Sequence, residues 1–320
     1  MTETPLVSVY MTTYYHEKYI AEALDSILRQ RVSFPYEIVI SDDCSQDGTV
    51  GIIRQYAEKH DCIRLHVNEQ NLGLTANMFQ VRTFCRGKYL VDLSGDDYWI
   101  DDDKLRKQVD FLESHPDYLG VCTCVESRAD GSDTAGKVYP DKKLVGREFT
   151  LDMFLKGANC PLNGMMMRNV LLSEEGYRFF SLMPKISRYV DDLTDELLLH
   201  LYGRLYVLPD VTVAYRVRLA TKEDRNYNTL NRGVRMIRNH IDLLNNLHRE
   251  LGDRVDLFGR YRLIMKDLEL YYLRGIKRAE LREIYRSIPA ELRRRGLAFS
   301  TALSMPGYVA YKLRDRIAGR

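Results

Sequence analysis

Between Leu6 and Leu93 the chain alternates strand-like and helix-like periodicities, and this limits its possible folds more than any other feature. Leu6-Val7-Ser8-Val9-Tyr10-Met11 is a short run of β-formers, after which Tyr19, Ile20, Ala23, Leu24, Ile27 and Leu28 recur at helical spacing. The unit repeats as Glu37 to Ser41 followed by Ile52, Ile53, Tyr56 and Ala57, then as Ile63 to Val67 followed by Leu74, Met78, Val81 and Phe84. Lys88 to Leu93 makes a fourth strand. Such alternation predicts an α/β fold, a mostly parallel sheet flanked by helices, with ligands bound outside the carboxyl ends of the strands.

The second half is looser. Tyr118 to Cys124 reads as a strand and the polar, glycine-containing stretch from Arg128 to Gly136 as a loop. A helix is expected at Leu151 to Lys156, a strand at Gly164 to Arg168, a helix at Asp191 to Tyr202, and two short strands at Arg204 to Leu208 and Val211 to Arg216. From Leu230 onward the periodicity is helical. The expected domains are residues 1–225, in two halves at about 1–125 and about 126–225, and a helical, basic region at 226–320.

Composition excludes several classes. A chain of 320 residues with 45% hydrophobic residues buries a substantial core, which rules out intrinsic disorder and a disulfide-stapled miniprotein. The net charge of +2 is too small for a chain that coats nucleic acid, so no nucleic-acid partner is expected. Fifteen basic and six acidic residues give Leu257 to Arg320 a charge of +9, which leaves −7 for residues 1–256. Six cysteines without CxxC spacing, and a strand that begins without a signal-like segment before it, indicate a reduced, cytoplasmic chain. No stretch reaches the roughly 18 apolar residues of a membrane span, so any membrane contact is expected to be peripheral.

Acidic residues gather at strand ends: Asp42-Asp43 follows the second strand and Asp96-Asp97 the fourth. Carboxylates delivered to one rim repel one another unless a divalent cation or a donor-rich ligand lies between them. The alternative for each pair taken alone is turn and N-cap chemistry.

The stretches Val9-Tyr-Met-Thr-Thr-Tyr-Tyr15, Glu37-Ile-Val-Ile-Ser-Asp-Asp-Cys-Ser-Gln-Asp-Gly-Thr49, Asn71-Leu-Gly73 and Gly87-Lys-Tyr-Leu-Val-Asp-Leu-Ser-Gly-Asp-Asp-Tyr-Trp99, in this order, resemble the family 2 glycosyltransferases. The resemblance is close over residues 5–125 and looser to about 218. It implies a GT-A fold, a nucleotide-diphosphate sugar donor, a divalent metal (Mg or Mn) and transfer with inversion at the anomeric carbon. On it, Thr12, Tyr14 and Asp43 hold the nucleotide, commonly uridine, and Asp96 matches the last residue of the family's DxD motif, on the metal and diphosphate. Ser94 stands where that motif normally begins with an acid; its hydroxyl can still bond a ribose, with Asp97 or Asp92 to compensate. Asp47 is read as part of a turn and helix start, and Asp101-Asp102-Asp103 as charging the N-terminus of the next helix. The catalytic base falls in Tyr189-Val-Asp-Asp-Leu-Thr-Asp-Glu196, where family spacing favours Asp192 over Asp191, Asp195 and Glu196. Asn159 to Arg168 match the place where the family lines the acceptor side of its cleft, and within them Met165 to Met167 read more simply as core filling; His200 reads as a packed or surface residue, and Trp99 as either a sugar-stacking ring or a core residue.

Between Phe299 and Ile317 apolar residues at helical spacing combine with Lys312, Arg314 and Arg316, interrupted at Pro306-Gly307. The expectation is helices on an anionic membrane surface; the alternative is packing on the catalytic domain or on a second copy in a homo-oligomer. The expected activity is inverting transfer, within surface polysaccharide synthesis, to a hydroxyl of a saccharide or lipid-linked acceptor. The rivals are a non-catalytic nucleotide-sugar-binding or scaffold protein on a degenerate transferase fold, kept open by Ser94, and a sugar-phosphate nucleotidyltransferase. The latter is opposed by Thr12-Thr-Tyr-Tyr-His16, where that class carries a glycine-rich basic loop.

Overall fold

A computed structural model describes residues 4–187, 192–218, 234–273 and 278–295. It divides into two compact units, residues 1–154 with 158–226, and residues 155–157 with 227–320.

The first unit is built on a ten-stranded sheet in which eight strands follow the order β3-β2-β1-β4-β9-β6-β10-β5 and the other two lie on its flank. Strands β1 (Val7–Thr13), β2 (Tyr36–Asp42), β3 (Ile63–Val67) and β4 (Tyr89–Asp92) lie parallel. Helices α1 (Ile20–Leu28), α2 (Thr49–Ala57) and α3 (Leu74–Thr83) connect them. Every residue of β1 is buried, as expected of a central strand covered on both faces. Helix α1 buries Ile20, Ala23, Leu24 and Ile27, a stripe at i, i+3, i+4 and i+7. The strand order reverses between β1 and β4, and this switch point opens a crevice at their carboxyl ends.

Beyond β4 the sheet is mixed. Strand β9 (Met165–Arg168) runs antiparallel to both β4 and β6 (Tyr118–Ala129), and its three methionines are buried as core filling. Strand β10 (Arg204–Val217) pairs parallel with β6 and antiparallel with the two-residue β5 (Tyr98–Trp99). Helix α4 (Lys104–Ser114) links β5 to β6. The two strands expected at 204–208 and 211–216 are one. Its register against β6 shifts between Val207 and Val211, around Pro209, which has no N–H to give to the ladder. The expected loop at 128–136 is in part a hairpin, because β7 (Ala135–Tyr139) pairs back onto β6. All five β7 residues are exposed, so they carry no apolar alternation. A third short strand, β8 (Arg147–Phe149), edges β10.

The helix Asp192–Tyr202 follows, after short helices at Leu151–Leu155, Glu174–Phe180 and Met183–Ile186. In it His200 packs between Phe149 and Phe154, ring centroids 4.7 and 5.6 Å away.

The second unit is helical, with helices at Val234–Leu251, Phe258–Leu273, Arg278–Ser287 and Ala290–Arg294. The first buries Ile237, Ile241, Leu244, Leu247 and Leu251 in one stripe. No helix among the described residues is long and apolar enough to cross a membrane. The amphipathic segment 299–317 lies outside the described residues. All six cysteines are free thiols.

Candidate active site

Three strand ends meet at the switch point. The Asp43 N–H donates to the Thr13 carbonyl at 2.9 Å and the Gly95 N–H to the Thr12 carbonyl at 3.3 Å, which ties the β2 and β4 exits to that of β1. Asp42 is fully buried and accepts hydrogen bonds from the Thr13 hydroxyl and from the Ser45 hydroxyl and N–H, at 2.7, 2.7 and 2.8 Å. Its role is to knot the turn. Asp43 is 4% exposed and accepts from the Leu72 N–H (2.8 Å), the Gly73 N–H (3.0 Å) and Asn68 Nδ2 (3.1 Å). Gly73 presents that N–H at φ 87°, in the left-handed region that glycine tolerates. The Asn71-Leu-Gly73 motif is therefore a cradle for the Asp43 carboxylate, which a fourth donor can still approach. Thr12 and Tyr14 lie on the same rim, Thr12 buried and Tyr14 partly exposed, edge-on to Tyr15 at 4.6 Å.

Gly95 allows the β4 exit to pass close to β1: a Cβ there would meet Thr13 Cγ2 at 2.7 Å and His16 Nδ1 at 2.8 Å. Beyond it the two acids diverge. The Asp96 carboxylate faces His16 Nε2 at 3.8 Å and accepts a hydrogen bond from Arg218 Nη2. The same Nη2 lies 3.5 Å from His16 Nε2, so two potential ligand atoms converge on one guanidinium nitrogen. Burial opposes the Asp96 charge, but the attraction of His16 and Arg218 outweighs it and holds the carboxyl below its usual range. Asp97 points the other way, accepting from the Arg216 N–H (2.8 Å) and Asn163 Nδ2 (3.0 Å). Burial, with Asp96 next to it, pushes Asp97 well above the usual carboxylate range, toward the protonated form.

On the Asp97 side is a cavity of about 270 Å³, lined by Asp92, Ser94, Asp97, Asn163, Asp192 and Tyr215 together with apolar side chains. Three of the four candidate bases separate here. Asp195 is 1% exposed and forms both bonds of a fork with Arg82, at 2.7 and 2.6 Å. Glu196 is 1% exposed and accepts the Cys160 N–H at 2.8 Å. Asp192 is exposed at the start of its helix and lines the cavity. Asp191 lies outside the described residues.

Other residues have structural parts. Asp47 accepts from the Thr49 N–H and hydroxyl at 3.1 and 2.6 Å, at the start of α2. Asp101 accepts the Asp103 N–H at 2.9 Å and pairs with Lys107 at the head of α4. Trp99 is 1% exposed and closes the core, with Lys104 Nζ 5.3 Å from its ring. A larger, open groove of about 720 Å³ lies at the amino ends of β1 and β4. Two of its cations are already paired, Arg86 with Glu37 and Lys88 with Glu113, and ligands of open α/β sheets bind at the opposite rim.

A divalent cation at Asp96 finds that carboxylate and His16 Nε2 within reach, and no group of three or more His, Cys, Asp or Glu among the described residues makes a closed cage. This donor set fits a hard ion that takes the rest of its shell from substrate phosphates and water.

The family model for glycosyl transferase family 2 matches residues 8–171, just over half of the sequence, and the chain belongs to that family. EpsE of Bacillus subtilis, a glycosyltransferase by name, is 39% identical over 124 residues, 38% of this chain and 44% of its own. The first-ranked curated relatives are matched over about a third of their length. Residues 1–349 of Staphylococcus aureus TarS, solved with UDP-GlcNAc, align with a TM-score of 0.62 at 18% identity, covering 90% of this chain and 83% of that one. The mannosyltransferase PcManGT from Pyrobaculum calidifontis, solved with GDP-Man and Mn²⁺, aligns at 0.53 and 18%, covering 97% and 84%. The fold is that of the GT-A glycosyltransferases, as the sequence motifs implied.

Sequence reasoning missed His16, Arg218 and the Arg82–Asp195 pair. His16 had a signal, since it lies just past the end of β1 on the carboxyl-end rim. The other two meet their partners only across the fold.

Proposed function

We propose that the chain is an inverting glycosyltransferase that moves a sugar from a nucleotide-diphosphate donor, a UDP-sugar first among candidates, to a hydroxyl of a saccharide or lipid-linked acceptor in polysaccharide synthesis. The observation that supports this reading is that Asp43 and Asp96 leave β2 and β4 at one switch-point rim, while Ser94 and Asp97 of the same β4 exit line the cavity that Asp192 borders. TarS, a poly(ribitol-phosphate) β-N-acetylglucosaminyltransferase by name, supplies the polymer context and its UDP-GlcNAc complex the nucleotide, each by likeness.

Asp43, with Thr12 and Tyr14, holds the nucleoside, its carboxylate accepting an N–H of the base. Ser94 donates to the ribose. Asp96 holds the divalent cation, which when bound neutralises charge on the leaving diphosphate. Asp192 accepts the proton of the acceptor hydroxyl as that oxygen attacks the anomeric carbon from the face opposite the leaving group. The new C–O bond forms while the bond from the anomeric carbon to the diphosphate oxygen breaks, its electron pair leaving with the diphosphate. Asn163, bonded to Asp97, furnishes a hydrogen bond to the acceptor beside that base.

Calorimetric titration of UDP, GDP and dTDP, with and without Mn²⁺, on the wild type and on Asp96→Ala tests the donor site. One nucleotide is expected to bind with Mn²⁺ and to lose at least about tenfold in affinity in the variant. Binding of none of the three overturns the reading in favour of a non-catalytic scaffold.

A further inference from the structure

We propose that Arg218 is an internal cation that occupies the Asp96 site between donor-binding events and becomes a ligand of the donor's diphosphate when the metal arrives. The inference rests on the donor-site reading above. Its basis is the geometry around one nitrogen: Arg218 Nη2 donates to Asp96 and lies 3.5 Å from His16 Nε2, while His16 Nε2 itself is 3.8 Å from the same Asp96 oxygen. A hydrogen-bond donor and a metal ion cannot share that position, because both need the Asp96 lone pairs that face it, and also that of His16 Nε2 when the ring proton is on Nδ1. The Arg218 side chain is 11% exposed and Asp96 20%, so the pairing is largely out of solvent and poorly screened. The guanidinium also lies over the Tyr19 ring at 4.8 Å, where it remains beside the crevice when it leaves Asp96. It keeps its charge at any working pH, and its fork matches phosphate oxygens. Its position at the end of β10 lets it move without disturbing the strand pairs that hold the acids in place.

The exchange predicts effects of opposite sign from one substitution. In Arg218→Ala, Mn²⁺ alone is expected to bind Asp96 several-fold more tightly, because the competing cation is gone. UDP in the presence of Mn²⁺ is expected to bind about tenfold more weakly, the size of one lost charge-assisted phosphate contact. UMP, which lacks the second phosphate, is expected to change less than about twofold. Arg218→Lys keeps the charge but not the fork, so its effects should fall between wild type and alanine. The measurement is calorimetry with Mn²⁺, UMP and UDP, after thermal melting has established that both variants fold. Unchanged Mn²⁺ affinity, or unchanged UDP affinity, in the alanine variant overturns the inference. So does equal weakening of Mn²⁺, UMP and UDP, which would mark Arg218 as structural support only. If the wild type binds Mn²⁺ but no nucleotide, the donor-site reading fails and takes the diphosphate half of this inference with it. The metal titration still decides whether Arg218 and the ion compete.

Discussion

The Arg82–Asp195 pair gives the sharpest stability prediction. Both side chains are 1% exposed, both carboxylate oxygens accept from the guanidinium at 2.7 and 2.6 Å, and Arg82 also donates to the Tyr10 hydroxyl at 2.6 Å. Burial opposes the Arg82 charge, but attraction to Asp195 and Tyr10 outweighs it, so the guanidinium stays protonated inside the fold. Asp195→Ala removes its counter-charge and cannot be relieved by deprotonation, which costs about 3–5 kcal/mol. Replacing both partners, as in Arg82→Met with Asp195→Leu, removes the isolated charge and is expected to recover most of that loss. Trp99, the only tryptophan, is buried in the same unit, so its fluorescence follows urea unfolding of that unit. With a slope of roughly 2–3 kcal/mol per molar urea, the single variant's midpoint should fall by at least about 1 M and the double variant's by much less. A single variant that loses less than about 1 kcal/mol, or a double variant no more stable than the single, would refute the claim that a buried charge pair anchors this helix to α3.

The other predictions concern chemistry and pH. Asp192→Asn should lower turnover by about 10²–10⁴-fold at unchanged nucleotide affinity, measured by nucleotide release and calorimetry; equal loss of both would place Asp192 in donor binding instead. Gly95→Ala inserts a Cβ within 2.7–2.8 Å of Thr13 and His16, and should weaken UDP binding while the protein still melts cooperatively. Lys104 is fully buried, and burial lowers its pKa to about 7, whereas in the unfolded chain it titrates at the usual value near 10.4. Between those pH values the unfolded state binds the extra proton, so this group makes stability rise by about 1.4 kcal/mol per pH unit from about pH 7 upward. The rise should vanish from the wild-type minus Lys104→Met difference if the assignment is wrong, as read by urea melts at pH 7, 8 and 9.

Much of the architecture was written in local pattern. The strand-helix alternation marked β1 to β4 and α1 to α3 because a strand of this sheet leaves a short run of β-formers and a covering helix leaves apolar residues at helical spacing. What escaped was short or exposed: β5 has two residues, and β7 has no buried face. The break read between 208 and 211 was real as a register shift but did not end the strand, because β6 continues beneath it.

The sequence by itself determined the fold class and the family and pointed to the rim where the chemistry is proposed, because glycines, paired acids and strand ends are local features with local reasons. It favoured Asp192 over Asp191, Asp195 and Glu196 through family spacing alone, and Asp192, Asp195 and Glu196, all within five residues, carry no local feature that sets them apart. Only the tertiary structure separated them, giving Asp195 a buried arginine from 113 positions away, Glu196 a backbone N–H and Asp192 a cavity wall. The same holds at Asp96, whose cation is Arg218, 122 positions along the chain. A charge's role is set by what the fold brings within a few ångströms of it, and no spacing along the chain encodes that distance.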